Sequence, residues 1–210
     1  MTAILIADDH PIVRQGLRQI LEMEFESVKI GEAENSWQAL ELIRAQDWDI
    51  MILDITMPHG SGLDVLKEVK SERPKLPVLI LSIHPEDQYG VRALRAGASG
   101  YMTKESAPKE LVEAVKLILK GRKYISSTLA EKLADKIGTD ASILPHEKLS
   151  DREYQVLCLI ASGKSISDIA AELYLSVKTI GTFRTRILDK MEMKTNAELI
   201  RYAIKYGLIE

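Results

Sequence analysis

Four charged residues stand at the ends of three short apolar segments of the sequence. Asp8 and Asp9 follow the first segment, Asp54 ends the second, and Lys104 follows the third. Such segments are typical of buried strands, and in an open parallel sheet ligands bind at the carboxyl ends of the strands. If these strands are neighbours, the three carboxylates repel one another unless a divalent cation lies among them. Oxygen ligands with an open face suit Mg²⁺, so the pattern predicts a site that handles a phosphoryl group.

The chemistry of each side chain suggests its role. Asp54 is the predicted nucleophile, because a carboxylate can attack phosphorus and form an aspartyl phosphate. Asp8 and Asp9 are the predicted Mg²⁺ ligands, and Lys104 is predicted to pair with the phosphoryl oxygens. Ser82 ends a further apolar segment, so we expect its hydroxyl at the same edge of the sheet. Each acid alone would equally suit a turn or a helix cap, but polar residues at four strand ends rarely coincide by chance.

Strand and helix patterns alternate over about the first 120 residues. The predicted strands lie near 3–7, 28–33, 49–54, 77–82 and 99–102, and the predicted helices near 11–24, 36–46, 62–72, 86–96 and 107–120. Alternation of this kind predicts a doubly wound α/β domain of the flavodoxin-like type. Its five parallel strands form one sheet with helices on both faces.

The pattern changes after residue 122. Residues 123–145 are interpreted as a linker with a short helix near 128–137, and residues 146–210 show helical patterns alone. Helices are predicted near 150–162, 166–173, 177–191 and 195–206. The very short turn between the second and third of these is typical of a helix-turn-helix. The predicted domains are therefore 1–122, 123–145 and 146–210, the last an all-α domain of four helices.

The bulk composition limits the class of protein. The chain has 210 residues, of which 46% are hydrophobic, and no apolar segment long enough to span a bilayer. The single Cys158 excludes an internal disulfide and a zinc finger, and the N-terminus does not resemble a signal peptide. We therefore expect a cytoplasmic protein with no membrane partner. The net charge of −3 argues against a uniformly basic nucleic-acid binder, but cations are concentrated between residues 177 and 191.

Several motifs in the first domain resemble the receiver domain of two-component response regulators. They are AspAspHisPro at 8–11, AspIleThrMetPro at 54–58 followed by Gly62, Ser82, and GlyTyrMetThrLys at 100–104. The resemblance implies that a sensor histidine kinase phosphorylates Asp54. It also implies that Mg²⁺ is bound by Asp8, Asp9, Asp54 and the backbone carbonyl of Thr56. His10 is interpreted as a surface histidine without a metal partner.

The same resemblance implies a conformational switch. Phosphorylation adds a charge of roughly −1.5 to −2 and strong acceptor oxygens, which attract Ser82 and Lys104. Movement of Ser82 opens space behind it, and Tyr101 is expected to turn inward and fill that space. The surface formed by the fourth helix, the last strand and the fifth helix of the domain then changes shape.

The C-terminal segment resembles the DNA-binding domain of NarL/FixJ response regulators, also called LuxR-type. The matching motifs are LeuSerAspArgGlu at 149–153, IleAlaSerGly at 160–163, SerAspIleAlaAlaGluLeu at 167–173, LeuSerValLysThrIle at 175–180 and LysMet at 190–191. The resemblance implies that helix 177–191 enters the major groove of promoter DNA. The candidate DNA contacts are Lys178, Thr179, Thr182, Arg184, Thr185, Arg186 and Lys190. Gly181 stands at a position where the family contacts bases, and it lacks a side chain.

The remaining apolar residues of this segment are expected to build its core. Apolar stripes occur at Ile169, Ala170 and Leu173 in one helix and at Val177, Ile180, Phe183 and Ile187 in the next. The last helix carries Leu199, Ile200, Ala203 and Ile204. The resemblance implies a symmetric dimer through this helix on DNA, and closure of the core is the alternative for each of its side chains.

Taken together, the motifs predict a transcriptional response regulator that is phosphorylated by a histidine kinase and binds promoter DNA as a homodimer. RNA polymerase is a further candidate partner, and the chain is not expected to be an enzyme. One alternative is a phosphatase or phosphotransferase with an Asp nucleophile. Haloacid-dehalogenase-type phosphatases need a second Asp two residues after the nucleophile, where this chain has Thr56. The other alternative is an interaction module that works without phosphorylation.

Overall fold

The computed structural model describes residues 1–57, 60–137 and 144–209. Pro58 of the receiver motif and residues 138–143 of the predicted linker lie outside these ranges. The chain divides into two compact units, Met1–Leu133 and Ala134–Glu210. Among the described helices, none combines the length and the apolar character that crossing a membrane requires.

The first unit is built on a parallel sheet. Its strands are β1 (Thr2–Ala7), β2 (Val28–Ala33), β3 (Ile50–Asp54), β6 (Val78–Ser82) and β7 (Gly100–Thr103), in the order β2-β1-β3-β6-β7. All four pairings are parallel, which confirms the predicted five-stranded fold. A short antiparallel pair, β4 (Thr56–Met57) and β5 (Gly60–Ser61), was not expected from the sequence. The strand order reverses beside β1, so a crevice opens there at the carboxyl ends of β1 and β3.

Helices follow the strands, as the alternating pattern predicts. They are α1 (Pro11–Glu24), α2 (Ser36–Ala45), α3 (Gly62–Glu72), α4 (Glu86–Arg95) and α5 (Ala107–Leu119). Helix α1 packs against α5, and α2 packs against α3. Every residue of β3 and β6 is buried, which explains why these strands have no polar alternation. The sheet core around Ile4, Ile52 and Leu79 thus gives the strand ends a rigid base.

The rest of the chain is helical in the described ranges. Helix α6 (Ser127–Ile137) is followed by a 3-10 turn (Pro145–Lys148) and by α7 (Asp151–Ala161), α8 (Ile166–Glu172), α9 (Val177–Met191) and α10 (Asn196–Lys205). Helix α7 begins with a capping box formed by Ser150 and Glu153. Ser150 N donates to Glu153 Oε2 at 2.8 Å, and Glu153 N donates to Ser150 Oγ at 3.3 Å. Gly163, with φ of +83°, ends α7 in the left-handed region that favours glycine.

The predicted core stripes of α8 and α9 are buried with one exception. Ile169, Ala170, Leu173, Ile180 and Ile187 are buried, and Phe183 is half-buried. The prediction was wrong for Val177, the first residue of α9, which is 54% exposed.

The side chains of the last helix, α10, were expected either to close the core or to contact a second chain, and both kinds occur. Leu199 and Ala203 of α10 are fully buried and close the core of the second unit. Ile200 is half-buried, and Ile204 is 61% exposed. Ile204 is therefore a large apolar side chain of this helix that remains accessible for a partner.

Candidate functional site

The carboxyl ends of three strands bring two carboxylates to one ammonium group. Asp8 follows β1, Asp54 is the last residue of β3, and Lys104 follows β7. The Lys104 Nζ atom lies 2.6 Å from Asp8 Oδ2 and 2.7 Å from Asp54 Oδ2. Both carboxylates are almost completely buried, with 1% and 2% exposure. The structure therefore brings together three of the four charged residues that the sequence pattern singled out.

The surroundings of Asp54 work against its charge. Burial raises the pKa of Asp54 to about 6, and the negative charge of Asp8 acts in the same direction. The Lys104 ammonium group and a hydrogen bond from Thr56 N to Asp54 Oδ1 (3.2 Å) offset part of this rise. At neutral pH Asp54 is consequently ionised, although burial and the charge of Asp8 disfavour its carboxylate form. A bound cation or a covalent modification of Asp54 would reduce this unfavourable interaction.

The lysine shows the opposite balance. Burial lowers the pKa of Lys104, but the charges and hydrogen bonds of Asp54 and Asp8 outweigh this effect and raise the pKa overall. Lys104 is therefore a permanent cation in this pocket. It forms ion pairs with two carboxylates, and its ammonium group can also pair with negative oxygens that are added to Asp54.

The acidic cluster has oxygen atoms that fit a hard cation. Ligand atoms of Asp8, Asp9, His10 and Asp54 all lie within 4.8 Å of one another. Within the described residues, the buried oxygens Asp8 Oδ2 and Asp9 Oδ1 accept no hydrogen bond of regular geometry. Each has an ion-pair neighbour instead: Lys104 for Asp8, and His10 Nδ1, at 2.7 Å, for Asp9. Carboxylate oxygens that lie this close together suit a hard cation such as Mg²⁺.

His10 is a surface histidine, as interpreted from the sequence, and the structure adds its contacts with the two acids. Its imidazole is 59% exposed but contacts both Asp8 and Asp9, and its backbone N–H donates to Asp8 Oδ1 at 2.8 Å. The signal was local, since His10 directly follows the two acids and directly precedes the proline that begins α1. Thr56, the other predicted metal ligand, lies two residues beyond Asp54 in β4.

Ser82 and Tyr101 meet at the backbone of one residue, His84. Ser82 is fully buried at the end of β6, and its Oγ accepts a hydrogen bond from His84 N at 3.1 Å. Tyr101 is 1% exposed, and its hydroxyl donates to His84 O at 2.8 Å. Tyr101 is therefore a buried residue in this structure, and its expected inward turn on activation stays a prediction.

His84 was not identified from the sequence. Besides these backbone contacts, its Nε2 lies 3.4 Å from Thr56 Oγ1, and its ring centroid lies 4.9 Å from that of Tyr89 in α4. Its position two residues after Ser82 was the available sequence signal. His84 thus connects the rim of the acidic pocket to α4.

The second candidate site is the solvent face of α9. Lys178, Thr182, Thr185 and Arg186 are exposed there, as predicted. Thr179 is half-buried, and its N–H donates to the Oγ of the N-cap residue Ser176 at 3.0 Å. These side chains stand on one accessible helix surface.

Two of the predicted DNA contacts, Arg184 and Lys190, have side-chain partners outside α9 in the second unit. The Arg184 Nε donates to Asn196 Oδ1 at 2.7 Å and links α9 to α10. The Lys190 Nζ donates to Glu153 Oε2 at 2.6 Å and links α9 to α7. Because the Glu153 side chain is 4% exposed, Lys190 neutralises a buried charge. The sequence showed two basic residues on a helix but not the partners on neighbouring helices.

Comparison with family models assigns both parts of the chain. Residues 4–116 match the model described as the response regulator receiver domain. Residues 147–203 match the model described as bacterial regulatory proteins of the luxR family. The first match covers the acidic pocket, and the second covers α7 to α9 and most of α10.

Whole-length relatives have the same arrangement. The response regulator UvrY of Escherichia coli K12 is 32% identical over 99% of this chain and 96% of its own length. The response regulator GacA of Pseudomonas aeruginosa is 32% identical over 100% of this chain and 99% of its own length. A structure of RcsB from Salmonella enterica serovar Typhimurium on promoter rprA with the phosphomimetic BeF3⁻ has 29% identity and a TM-score of 0.65, with full coverage of both chains.

Proposed function

Because this chain belongs to the bacterial response regulators, with a receiver domain followed by a LuxR-family domain, we propose that phosphorylation of Asp54 controls its binding to promoter DNA. The phosphodonor is a sensor histidine kinase in the cytoplasm. The proposed domains are the receiver at 1–122, the linker at 123–145 and the DNA-binding domain at 146–210. The observation that carries the proposal is the buried pairing of Lys104 with both Asp8 and Asp54.

The proposed reaction is a direct phosphoryl transfer. An oxygen of Asp54 attacks the phosphorus of a phosphohistidine, the new P–O bond forms, and the P–N bond to the imidazole breaks. With a pKa of about 6, Asp54 is a carboxylate at neutral pH and is able to attack. Lys104, at 2.7 Å from the Asp54 oxygen, moves with the charge onto the phosphoryl oxygens.

The acidic cluster supports the same reaction. Asp8, Asp9 and Asp54, together with the Thr56 carbonyl, would hold Mg²⁺ there. Bound Mg²⁺ supplies positive charge that neutralises the repulsion between the carboxylates and the incoming phosphoryl group. The ligand atoms of these three acids lie within 4.8 Å of one another, which supports this assignment.

The proposed switch passes through Ser82 and His84. The phosphoryl oxygens accept a hydrogen bond from the Ser82 hydroxyl, so the Ser82 side chain moves toward them. This movement disturbs its present bond with His84 N, and the His84 carbonyl holds the Tyr101 hydroxyl. The segment between β6 and α4 therefore changes its position with the phosphorylation state, and α4 changes with it.

The proposed output is dimeric binding to DNA. Helix α9 enters the major groove, and Lys178 and Arg186 contact the phosphate backbone. The other proposed contacts are Thr179, Thr182, Arg184, Thr185 and Lys190. The phosphorylated chain binds as a homodimer on paired half-sites, and RNA polymerase is the candidate partner downstream. Solved RcsB structures bound to the promoters P1flhDC and rprA support this assignment for the second domain.

Mass spectrometry combined with a DNA-binding assay tests the proposal. The full chain is incubated with acetyl phosphate and Mg²⁺ and is then used to capture genomic DNA fragments. We expect one phosphoryl adduct on Asp54 and stronger capture than without the donor. The Asp54→Asn variant should show neither effect, while Asp47→Asn, a matched change at a 93% exposed carboxylate, should show both. Capture that is unchanged by the donor in the unsubstituted chain would refute the proposal.

A further inference from the structure

The centre of the exposed face of α9 is apolar, although the helix as a whole is basic. Val177, Gly181 and Thr185 follow one another at intervals of four residues and form one row along the helix, with Thr182 beside it. We call these four residues the apolar strip. Val177 is 54% exposed, and both threonines are exposed. Lys178 and Arg186 stand four residues before and after Thr182 in the neighbouring row, so a cationic row runs beside the row of Val177, Gly181 and Thr185.

The hydroxyl hydrogens of the strip are already used within the helix. The Thr182 hydroxyl donates to the carbonyl of Lys178 at 3.1 Å, and the Thr185 hydroxyl donates to the carbonyl of Gly181 at 3.1 Å. Neither hydroxyl has a second hydrogen to donate to guanine O6 and N7 or to thymine O4. What the two side chains offer to a base edge is the γ-methyl group and the lone pairs of the bonded oxygen.

Gly181 makes room for a close approach. A Cβ atom built there would meet no other atom within 4 Å, so packing inside the protein does not require glycine. Among ordinary residues, glycine is also the poorest choice for a helix interior after proline. Because Gly181 has no side chain beside Thr182 and one turn before Thr185, a base edge can come closer to the helix and reach the methyl groups of both threonines.

We infer that the apolar strip recognises the C5-methyl groups of thymine in the major groove. Contact between a threonine methyl and the thymine methyl is an established mode of direct base recognition. The strip lacks the donors that select guanine, so the base pairs opposite Gly181 are T·A pairs in either orientation. Lys178 and Arg186 then hold the register on the phosphates without selecting a base. The inference rests on the proposed DNA-binding function and adds the sequence class of its target.

The test uses thymine analogues in a selected duplex. The full chain, phosphorylated with acetyl phosphate and Mg²⁺, first selects duplexes from a random library. Each thymine of the best duplex is then replaced singly by deoxyuridine, which removes the methyl group and nothing else. Burial of one methyl group is worth about 0.8 kcal/mol, so binding should weaken about fourfold at each contacted thymine.

Conservative variants identify the residues that make the contact. Thr182→Ser and Thr185→Ser keep the hydroxyl but lose the methyl, and each should abolish the preference for thymine over deoxyuridine at one position of the half-site. Thr182→Val keeps a methyl and loses the hydroxyl, so it should retain the preference. Thr128→Ser, the same exchange at an exposed residue of α6, should leave every affinity unchanged.

The outcomes separate the inference from the function on which it rests. If no duplex is enriched, the proposed DNA-binding function fails. If duplexes are enriched but deoxyuridine weakens none of them, the methyl contact is refuted. A loss of affinity in Thr182→Val without any effect of deoxyuridine would refute it as well, because the hydroxyl oxygen would then be the group that contacts the base.

Discussion

At the scale of single residues, the acidic pocket contains more negative than positive charge. Asp8 and Asp54 are both buried, and the single ammonium group of Lys104 bridges them. Burial of a charge without full compensation is unfavourable, which is why the pKa of Asp54 is raised to about 6. The same imbalance favours a cation or a phosphoryl group that interacts with Lys104. Function and stability therefore oppose each other at this site.

We expect Asp54→Asn to stabilise the chain in the absence of divalent cations. The folded-state pKa of Asp54 is raised from 3.8 to about 6, so protonation of Asp54 favours the folded state. This contribution is fully present below the unfolded pKa and is lost as the pH rises through the folded pKa. At about pH 7 the neutral asparagine should therefore raise the free energy of unfolding by up to about 3 kcal/mol.

Urea denaturation in EDTA measures this effect. At about pH 4 the advantage of Asp54→Asn should largely disappear, because Asp54 is then protonated in the folded chain. Asp47→Asn serves as control, since the Asp47 side chain is 93% exposed. A free energy of unfolding that is equal for both variants at neutral pH would contradict the expected conflict of charges.

A second prediction concerns Lys190 and separates structural from DNA-contacting cations. Lys190→Met leaves the buried carboxylate of Glu153 without its cation and should lower the free energy of unfolding by about 1–2 kcal/mol. Burial acts to raise the pKa of Glu153, but Lys190 and the Ser150 hydrogen bonds lower it overall. A lowered pKa stabilises the folded chain above the unfolded value of 4.5, and this contribution is lost as the pH falls through the folded value.

Chemical denaturation across the acid range checks this pair. Lys178→Met on the same helix is the matched control, because Lys178 is exposed. It should leave stability unchanged and weaken DNA binding instead. If Lys190→Met and Lys178→Met unfold at the same urea concentration at neutral pH, the ion pair does not stabilise the fold.

At the scale of elements, the start of α6 is fixed to the first unit. Leu129 is fully buried beside Gly90 of α4, where a Cβ atom would come within 2.8 Å of the Leu129 side chain. The Ser126 hydroxyl donates to Glu86 Oε1 of α4 at 2.6 Å. The segment was predicted as linker from its sequence, yet its first turn packs against the helix that follows the His84 segment. Leu129 can pack this close to α4 because Gly90 has no side chain.

We expect Leu129→Ala to destabilise the first unit by about 2–4 kcal/mol, because it leaves a cavity against Gly90 that the backbone cannot fill. Both tryptophans, Trp37 and Trp48, lie in this unit, so intrinsic fluorescence reports its unfolding. Ile83→Ala, a comparable truncation at a 65% exposed residue, should change stability little. Equal unfolding midpoints for the two variants would show that α6 does not contribute to the unit.

At the scale of the whole molecule, the net charge of −3 means that DNA binding depends on where the cations lie. Exposed cations on α9 neutralise phosphates locally, and each neutralised phosphate adds roughly 0.9 to the dependence of log K on log salt. A symmetric dimer presents every such residue twice. The salt dependence of binding therefore reports the number of chains on the DNA.

We expect Lys178→Met to reduce that salt slope by about 2 in the phosphorylated chain, because a dimer loses two phosphate contacts. Titration of a selected duplex at several salt concentrations, with the unsubstituted chain as reference, measures this change in the salt slope. A reduction of about 1 would indicate that a single chain binds.

The sequence by itself determined the order of elements and the residues of the acidic pocket. Buried strands of a parallel sheet are continuous apolar segments, so the ends of β1, β3 and β7 were visible as the points where Asp8, Asp54 and Lys104 begin. Parallel strands put those ends on one edge of the sheet. The capping box at Ser150 was equally local, since its partner Glu153 is three residues away.

Only the tertiary structure decided the contacts between distant elements. His84 meets Thr56 across 28 residues, Lys190 meets Glu153 across 37, and Leu129 meets Gly90 in another helix. No local periodicity encodes such pairs, because they depend on how helices and strands pack in space. The same reason explains why Val177 was expected inside and lies exposed: a helical stripe shows which residues share a face, and packing decides how far that face is covered.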